Sequence, residues 1–155
     1  MLYSKSAEYA IQAMIYLAEK NDPKPVMVGE IAKAYGIPQQ FLAKIAQSLV
    51  KQRLLFAVRG RNGGLKLARS AEDILLNQIV FAIDGPPPEE DICVIGLDYC
   101  SDDAPCPLHH QWKPIRKQIR TLLEEENLAQ LARVVIKKRK KMTLEGITSI
   151  IGQPI

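Results

Sequence analysis

The segment from residue 29 to residue 68 constrains the fold more than any other. Two short stretches with helical apolar spacing are separated by a single glycine, and a glycine-rich hairpin follows them. The first stretch, about 29–35, places Ile31, Ala32 and Tyr35 on one face. Gly36 then suits the left-handed turn that ends a helix. Pro38 sits where a new helix begins, because its missing N–H costs little there. That helix, about 38–52, carries Phe41, Leu42, Ile45, Leu49 and Val50 on its apolar side and Gln39, Gln40, Lys44, Gln47 and Lys51 on the other. Residues 54–58 and 65–68 read as strands joined by Arg59-Gly60-Arg61-Asn62-Gly63-Gly64. Helix, tight turn, helix and hairpin together predict a winged helix-turn-helix.

The flanking segments are predominantly helical. Tyr9, Ala10, Ala13, Met14, Leu17 and Ala18 form one stripe over 5–20, which the two prolines of 21–25 bring to an end. Ser70 through Asp73 resembles a capping box opening a helix over 71–83, with Ile74, Leu75, Ile79 and Ile83 inward. The Asp84-Gly85-Pro86-Pro87-Pro88 run stops that helix. Residues 85–106 then form an irregular loop, a length uncommon in a compact domain unless it has a function or is disordered. A long helix starts near 107–113, where Leu108, Trp112, Ile115, Ile119 and Leu122 repeat as a heptad seam for a partner helix. Pro114 predicts a kink or a late start in it. Asn127 is placed to cap a last helix near 128–138, ahead of a solvated, frayed basic tail at 137–141. The fold class is therefore mostly α with a small β-hairpin wing. Residues 1–84 are expected to form the winged helix-turn-helix DNA-binding region, 85–106 a cysteine loop, 107–126 a dimerisation helix and 127–155 a C-terminal helix and tail.

The helix after Gly36 fits the roughly 12 Å wide major groove of B-DNA. Gln39 and Gln40 stand at its N-terminal end, where a glutamine amide can pair with adenine, and Lys44 and Lys51 suit phosphates. Arg59 and Arg61 on the glycine loop suit a narrow minor groove. A solvated surface on a small domain is the competing reading of these side chains. The formal charge of +4 permits a nucleic-acid partner without requiring one.

All three cysteines lie in the long loop, as Cys93-x6-Cys100-x5-Cys106, with His109 and His110 just beyond. An odd, bunched set argues against a disulfide framework and for a metal centre. Thiolates are the natural ligands of iron–sulfur clusters, which take four protein ligands as a rule. His109 and Glu8 are both candidates for the fourth position, the latter from a second subunit. A Cys₃His zinc site competes, although the spacings are longer than those of most zinc knuckles. A winged-helix scaffold binding zinc or no metal, and acting through protein contacts, is the alternative function. No nucleophile–base pair, phosphate-binding motif or pair of acids suggests an enzyme. No apolar run approaches the roughly 18 residues needed for a membrane span, and no signal peptide opens the chain, so it is expected in the cytoplasm.

These residues resemble the IscR/NsrR family of winged-helix iron–sulfur regulators, within the Rrf-two superfamily. The likeness rests on Tyr9 through Met14, Ile31-Ala32 through Gly36-Ile37, Val58-Arg59-Gly60, Gly63-Gly64, Ile83-Asp84-Gly85 and the three-cysteine loop before Trp112. It implies a homodimer joined by the long helix and acting on a double-stranded operator. It also implies a 2Fe–2S or 4Fe–4S cluster on Cys93, Cys100 and Cys106 that senses iron–sulfur status, nitric oxide or redox state. His109 matches the histidine ligand of one branch, and Glu8 lies where the other uses an acidic ligand. The first cysteine interval is one residue longer than usual, and Arg61-Asn62 stands where relatives often have proline.

Overall fold

The structure is a computed structural model that describes residues 2–87, 92–97 and 99–146. Residues 88–91 and 98 of the expected cysteine loop, and 147–155 of the expected tail, lie outside the described residues. In order, the elements are α1 (Lys5–Lys20), α2 (Val28–Tyr35), α3 (Gln39–Lys51), β1 (Leu55–Val58), β2 (Gly64–Leu67), α4 (Leu76–Asp84), α5 (His109–Glu125) and α6 (Leu128–Leu144), with one 3-10 turn at Ala71–Asp73. Among the described residues this is a mostly α fold with one two-stranded antiparallel hairpin, as expected. No helix among them is long and apolar enough to cross a membrane.

Helix α1 is the central strut. The Ser4 hydroxyl caps it by accepting the Ala7 N–H at 3.1 Å, and Asp84 at the end of α4 accepts both the Ser4 N–H and its hydroxyl. Ala10, Ala13 and Met14 are fully buried where α1 meets α3, α4 and α6. Burying side chains of this kind supplies most of the drive to fold. Gly36 ends α2 at φ 64°, as the sequence predicts, and its successor Ile37 returns its N–H to Ala32. Phe41 differs from expectation. It is 40% exposed and packs edge-on against Tyr9 at 5.9 Å, on the rim rather than in the core.

In the hairpin, Leu55 pairs with Leu67 and Val58 with Gly64. Val26 adds a bridge to Leu65, giving and receiving hydrogen bonds of 2.8 and 2.7 Å. Gly64 makes this approach possible. At φ 148°, a Cβ there would stand 2.4 Å from the Val26 carbonyl oxygen. The wing is thus tied to the segment that leads into α2.

Three local expectations are corrected. First, Ser70 does not cap a helix over 71–83; its hydroxyl binds the Glu72 carboxylate, and α4 begins only at Leu76. The intervening Ile74 and Leu75 are extended because they pair with the α5–α6 connection: Leu76 N–H donates to Glu126, and Leu128 N–H to Ile74. Gln78 accepts the Leu75 N–H and starts α4. Second, α5 begins at His109 and runs through Pro114, so the proline does not delay it. Third, the basic run 137–141 is helical rather than frayed. Asn127 and Gln130 cap α6 reciprocally, and Arg139 anchors it by contacts to Glu19 at 2.6 Å and Tyr35 at 2.6 Å.

The heptad seam of α5 is only partly covered within the chain. Ile119 packs on the core and Leu123, off the seam, is buried there, whereas Leu108, Ile115 and Leu122 are 42–48% exposed.

Candidate metal centre and nucleic-acid interface

The cysteine loop turns back on itself: Gly96 donates to the Cys93 carbonyl at 3.0 Å, and Ile92 bridges Tyr99. Arg116 of α5 holds this fold by donating to the Ile92 carbonyl at 3.2 Å. The sulfurs of Cys93, Cys100 and Cys106 thereby lie within 4.8 Å of one another. Cys93 and Cys100 are buried and Cys106 half-buried, and none is in a disulfide.

His109, the first residue of α5, lies beside Cys100, at the edge of the group of three sulfurs. Its Nδ1 lies 3.1 Å from the Cys100 sulfur and its Nε2 lies 2.9 Å from Asp102. Asp102 also takes Lys113 at 2.5 Å. The Lys113 ammonium, with His109 adding to it, holds the Asp102 carboxyl down to about 2. Burial tends to raise the Cys93 thiol, but the Ile95 and Leu97 N–H groups, with the other two thiols, outweigh it and set Cys93 below the ordinary thiol range. Burial drives Cys106 the other way, above that range.

Three sulfurs and one imidazole nitrogen, with a carboxylate on the far ring nitrogen, are a donor set that fits an iron–sulfur cluster or a zinc ion. Metal-bound histidines almost always carry such an outer partner, which fixes the ring and its tautomer. Glu8 is not in this group. It binds Lys5 at 2.6 Å and Gln12 at 3.4 Å on α1. His110 is exposed and stacks edge-on against His109 at 5.3 Å. The role of Asp102 had no signal in the sequence. It stands seven residues before His109, inside a loop with no periodicity.

The second candidate surface is formed by α3 and the hairpin. Gln39, Gln40 and Lys44 are exposed on α3, and Arg59 and Arg61 are exposed in the loop after β1. The Gln39 amide lies over Gly29 of α2, where a Cβ would stand 3.2 Å from its oxygen. Gly29 is thus a residue that sequence reasoning passed over. Its missing side chain leaves room for the first side chain of α3.

Comparison with known proteins decides what this frame is. The Rrf2 family model, described as iron-dependent transcriptional regulator, matches residues 3–134. The chain belongs to the Rrf2 family of transcriptional regulators. It is similar to the transcriptional regulator NsrR of Oceanobacillus iheyensis, with 28% identity over 97% of this chain and 100% of that one. Among solved structures it resembles IscR of T. potens, with TM-score 0.67 and 26% identity over 85% of this chain and 86% of that one. It also shares its fold with CymR, the global cysteine regulator of B. subtilis, with TM-score 0.71 and 24% identity over 84% and 95% of the two chains. These relatives are regulators of transcription, and the chain is a regulator rather than an enzyme.

Proposed function

We propose that this chain is a cytoplasmic, homodimeric regulator whose iron–sulfur cluster sets its affinity for a double-stranded operator. The observation that carries the sensing half is the convergence of Cys93, Cys100 and Cys106 within 4.8 Å, with His109 Nδ1 3.1 Å from Cys100. His109 is favoured over Glu8 as fourth ligand, because Glu8 is occupied on α1 within the same chain. The iron-dependent description of the family and the likeness to NsrR and IscR point the same way. When bound, a 2Fe–2S or 4Fe–4S cluster supplies a centre that responds to iron supply, redox state or nitric oxide.

The residues of the chain do the rest. Cys93, Cys100 and Cys106 would hold the cluster, and with it the described parts of their loop, while His109 would tie them to the first turn of α5. The far end of α5 joins the start of α4 through the Glu126–Leu76 hydrogen bond of 2.9 Å, and α4 packs on α1 and α3. Releasing the cysteines and His109 frees one end of this chain of rigid parts. In the proposed dimer, the exposed Leu108, Ile115 and Leu122 of 107–126 meet the second copy. The region 1–84 then offers Gln39 and Gln40 to base edges and Lys44, Arg59 and Arg61 to phosphates or the minor groove. Two-fold operators need the two α3 helices about 34–36 Å apart. A change that favours one spacing by about 1–3 kcal/mol is enough to alter occupancy usefully.

The deciding experiment is anaerobic purification with an absorption spectrum and counts of iron, acid-labile sulfide and zinc per chain. Visible charge-transfer bands with matching iron and sulfide support the reading. Stoichiometric zinc, or no metal after anaerobic reconstitution, removes the sensor while leaving a DNA-binding regulator.

A further inference from the structure

On the side of the molecule formed by the end of α1, the 3-10 turn, β2 and α6, there is a groove of about 690 Å³ that the reading above does not use. That size lies within the range of small-molecule sites, about 300–1,000 Å³. Its apolar lining includes Leu17, Val26, Leu67 and Ile136, and four cations border it: Lys24, Lys66, Arg69 and Arg133. Two acids among the lining residues oppose them, which leaves the cations in excess. Asp22 accepts the Lys24 backbone N–H at 2.8 Å, and Glu72 accepts the Ser70 hydroxyl. Arg69 reaches Gln78 at 3.5 Å, and the charge of Arg133 helps to lower the Glu72 carboxyl, whereas among the described residues Lys24 and Lys66 take part in no ion pair. A partly apolar hollow rimmed by an excess of cations attracts a molecule with an anionic group on an apolar body.

We propose that this groove is a binding site for a small amphipathic anion, a carboxylate or phosphate ester with an apolar body, and that its occupancy steadies the wing. The link to the wing is short. Leu65, Lys66 and Leu67 of β2 line the groove, and Leu65 forms the Val26 bridge that ties the hairpin to the segment before α2. A ligand lying between β2 and Arg133 of α6 restrains that bridge without touching α3, Arg59 or the cysteine loop. A concave site with an apolar floor fits a compact molecule better than an extended phosphate backbone. This is a second input, independent of metal.

The probe is 8-anilinonaphthalene-1-sulfonate, an aromatic sulfonate, titrated into the full chain. Saturable binding of one molecule per chain is expected, weakened at least tenfold in Arg133→Glu and abolished in Ala129→Trp, which fills the groove from α6. Both positions lie outside the DNA and metal surfaces, and thermal melts establish that each variant is folded. If Ala129→Trp does not fold, Arg133→Glu decides alone. Amide exchange at Val26 and Leu65 is expected to slow at least threefold when the probe is bound. The site is refuted if the probe binds wild type and variants alike, fails to saturate, or is displaced competitively by operator DNA. Unchanged exchange at Val26 and Leu65 refutes the link to the wing. Neither readout depends on iron, so failure here leaves the cluster reading untouched, and failure of the cluster leaves this one standing.

Discussion

Arg139 offers the sharpest test of how the C-terminal helix is attached. Its Nη1 lies 2.6 Å from Glu19 on α1, its Nη2 lies 2.6 Å from the Tyr35 hydroxyl on α2, and the guanidinium also sits 5.5 Å from the Tyr35 ring centre. Glu19 is only 13% exposed, and its Oε1 is buried without a hydrogen-bond partner. Replacing Arg139 with Met keeps most of the aliphatic packing and removes both hydrogen bonds. A charge-assisted bond is worth about 1.5–3 kcal/mol and a neutral one about 0.5–1.5. Because the guanidinium is partly solvated, the low end applies, about 2 kcal/mol. In a chain of this size that corresponds to a fall of roughly 4–8 °C in Tm. The pH dependence identifies the cause. Burial already raises the Glu19 carboxyl, with Arg139 opposing it, so without Arg139 the carboxyl rises further. A raised acid contributes stability that is fully present below its unfolded value, about 4.3, and is lost as pH climbs through the folded value. The Arg139→Met deficit is therefore larger at pH 8 than at pH 5, and adding Glu19→Gln recovers much of it. Urea melts of the four proteins at both pH values complete the cycle. A deficit that is equal at pH 5 and pH 8, and is not relieved by Glu19→Gln, would refute the reasoning.

Three further outcomes are expected. Arg59→Ala weakens operator binding tenfold or more at fixed salt while sedimentation still reports a dimer; unchanged affinity removes the hairpin loop from the DNA surface. Ile115→Glu places a charge on the exposed α5 seam and shifts the protein to monomers in light scattering, whereas a stable dimer would assign the interface elsewhere. Gly29→Ala favours the helix by up to about 1 kcal/mol but crowds the Gln39 amide, so selection from randomised operators should show a changed preference at one base pair per half-site. An identical preference would mean that Gln39 does not read bases.

The parts legible in the sequence were those where a local rule and the tertiary structure agree. Gly36 ends α2 with a positive φ because the two helices must turn there, and that need is visible in the residue itself. Asn127 and Gln130 cap α6 through side chains only three positions apart. Ser70 misled because its neighbours had a stronger alternative: Ile74, Leu75 and Leu76 pair with residues 126–128, a contact across some fifty positions that no local pattern announces. The same holds for Arg139. A run of five basic residues reads as solvated surface, and only the fold reveals that its third member meets Glu19, 120 residues away. At the candidate metal centre, residue type and bunching singled out the cysteines and His109, and the structure brings the three sulfurs together and sets His109 beside Cys100. Asp102 had to be seen, because one of two adjacent aspartates in an irregular loop carries no mark of what it faces.

One helix serves both halves of the proposed mechanism, and this constrains how a signal can act. His109 opens α5 and Ile115 and Leu122 lie on its exposed seam, so the residue beside the cysteines and those offered to a second copy belong to one helix. Pro114 falls between them and leaves the His110 carbonyl without its helical N–H partner. Because that weak point lies in the second turn, loss of the His109 contact can fray the first turn while leaving the seam helical. On this reading the cluster modulates the dimer's geometry without dissolving the dimer. Cys100→Ala should then abolish visible absorbance and change operator affinity, yet leave the dimer intact at micromolar concentration. Monomers under the same conditions would mean that the cysteines hold the interface itself.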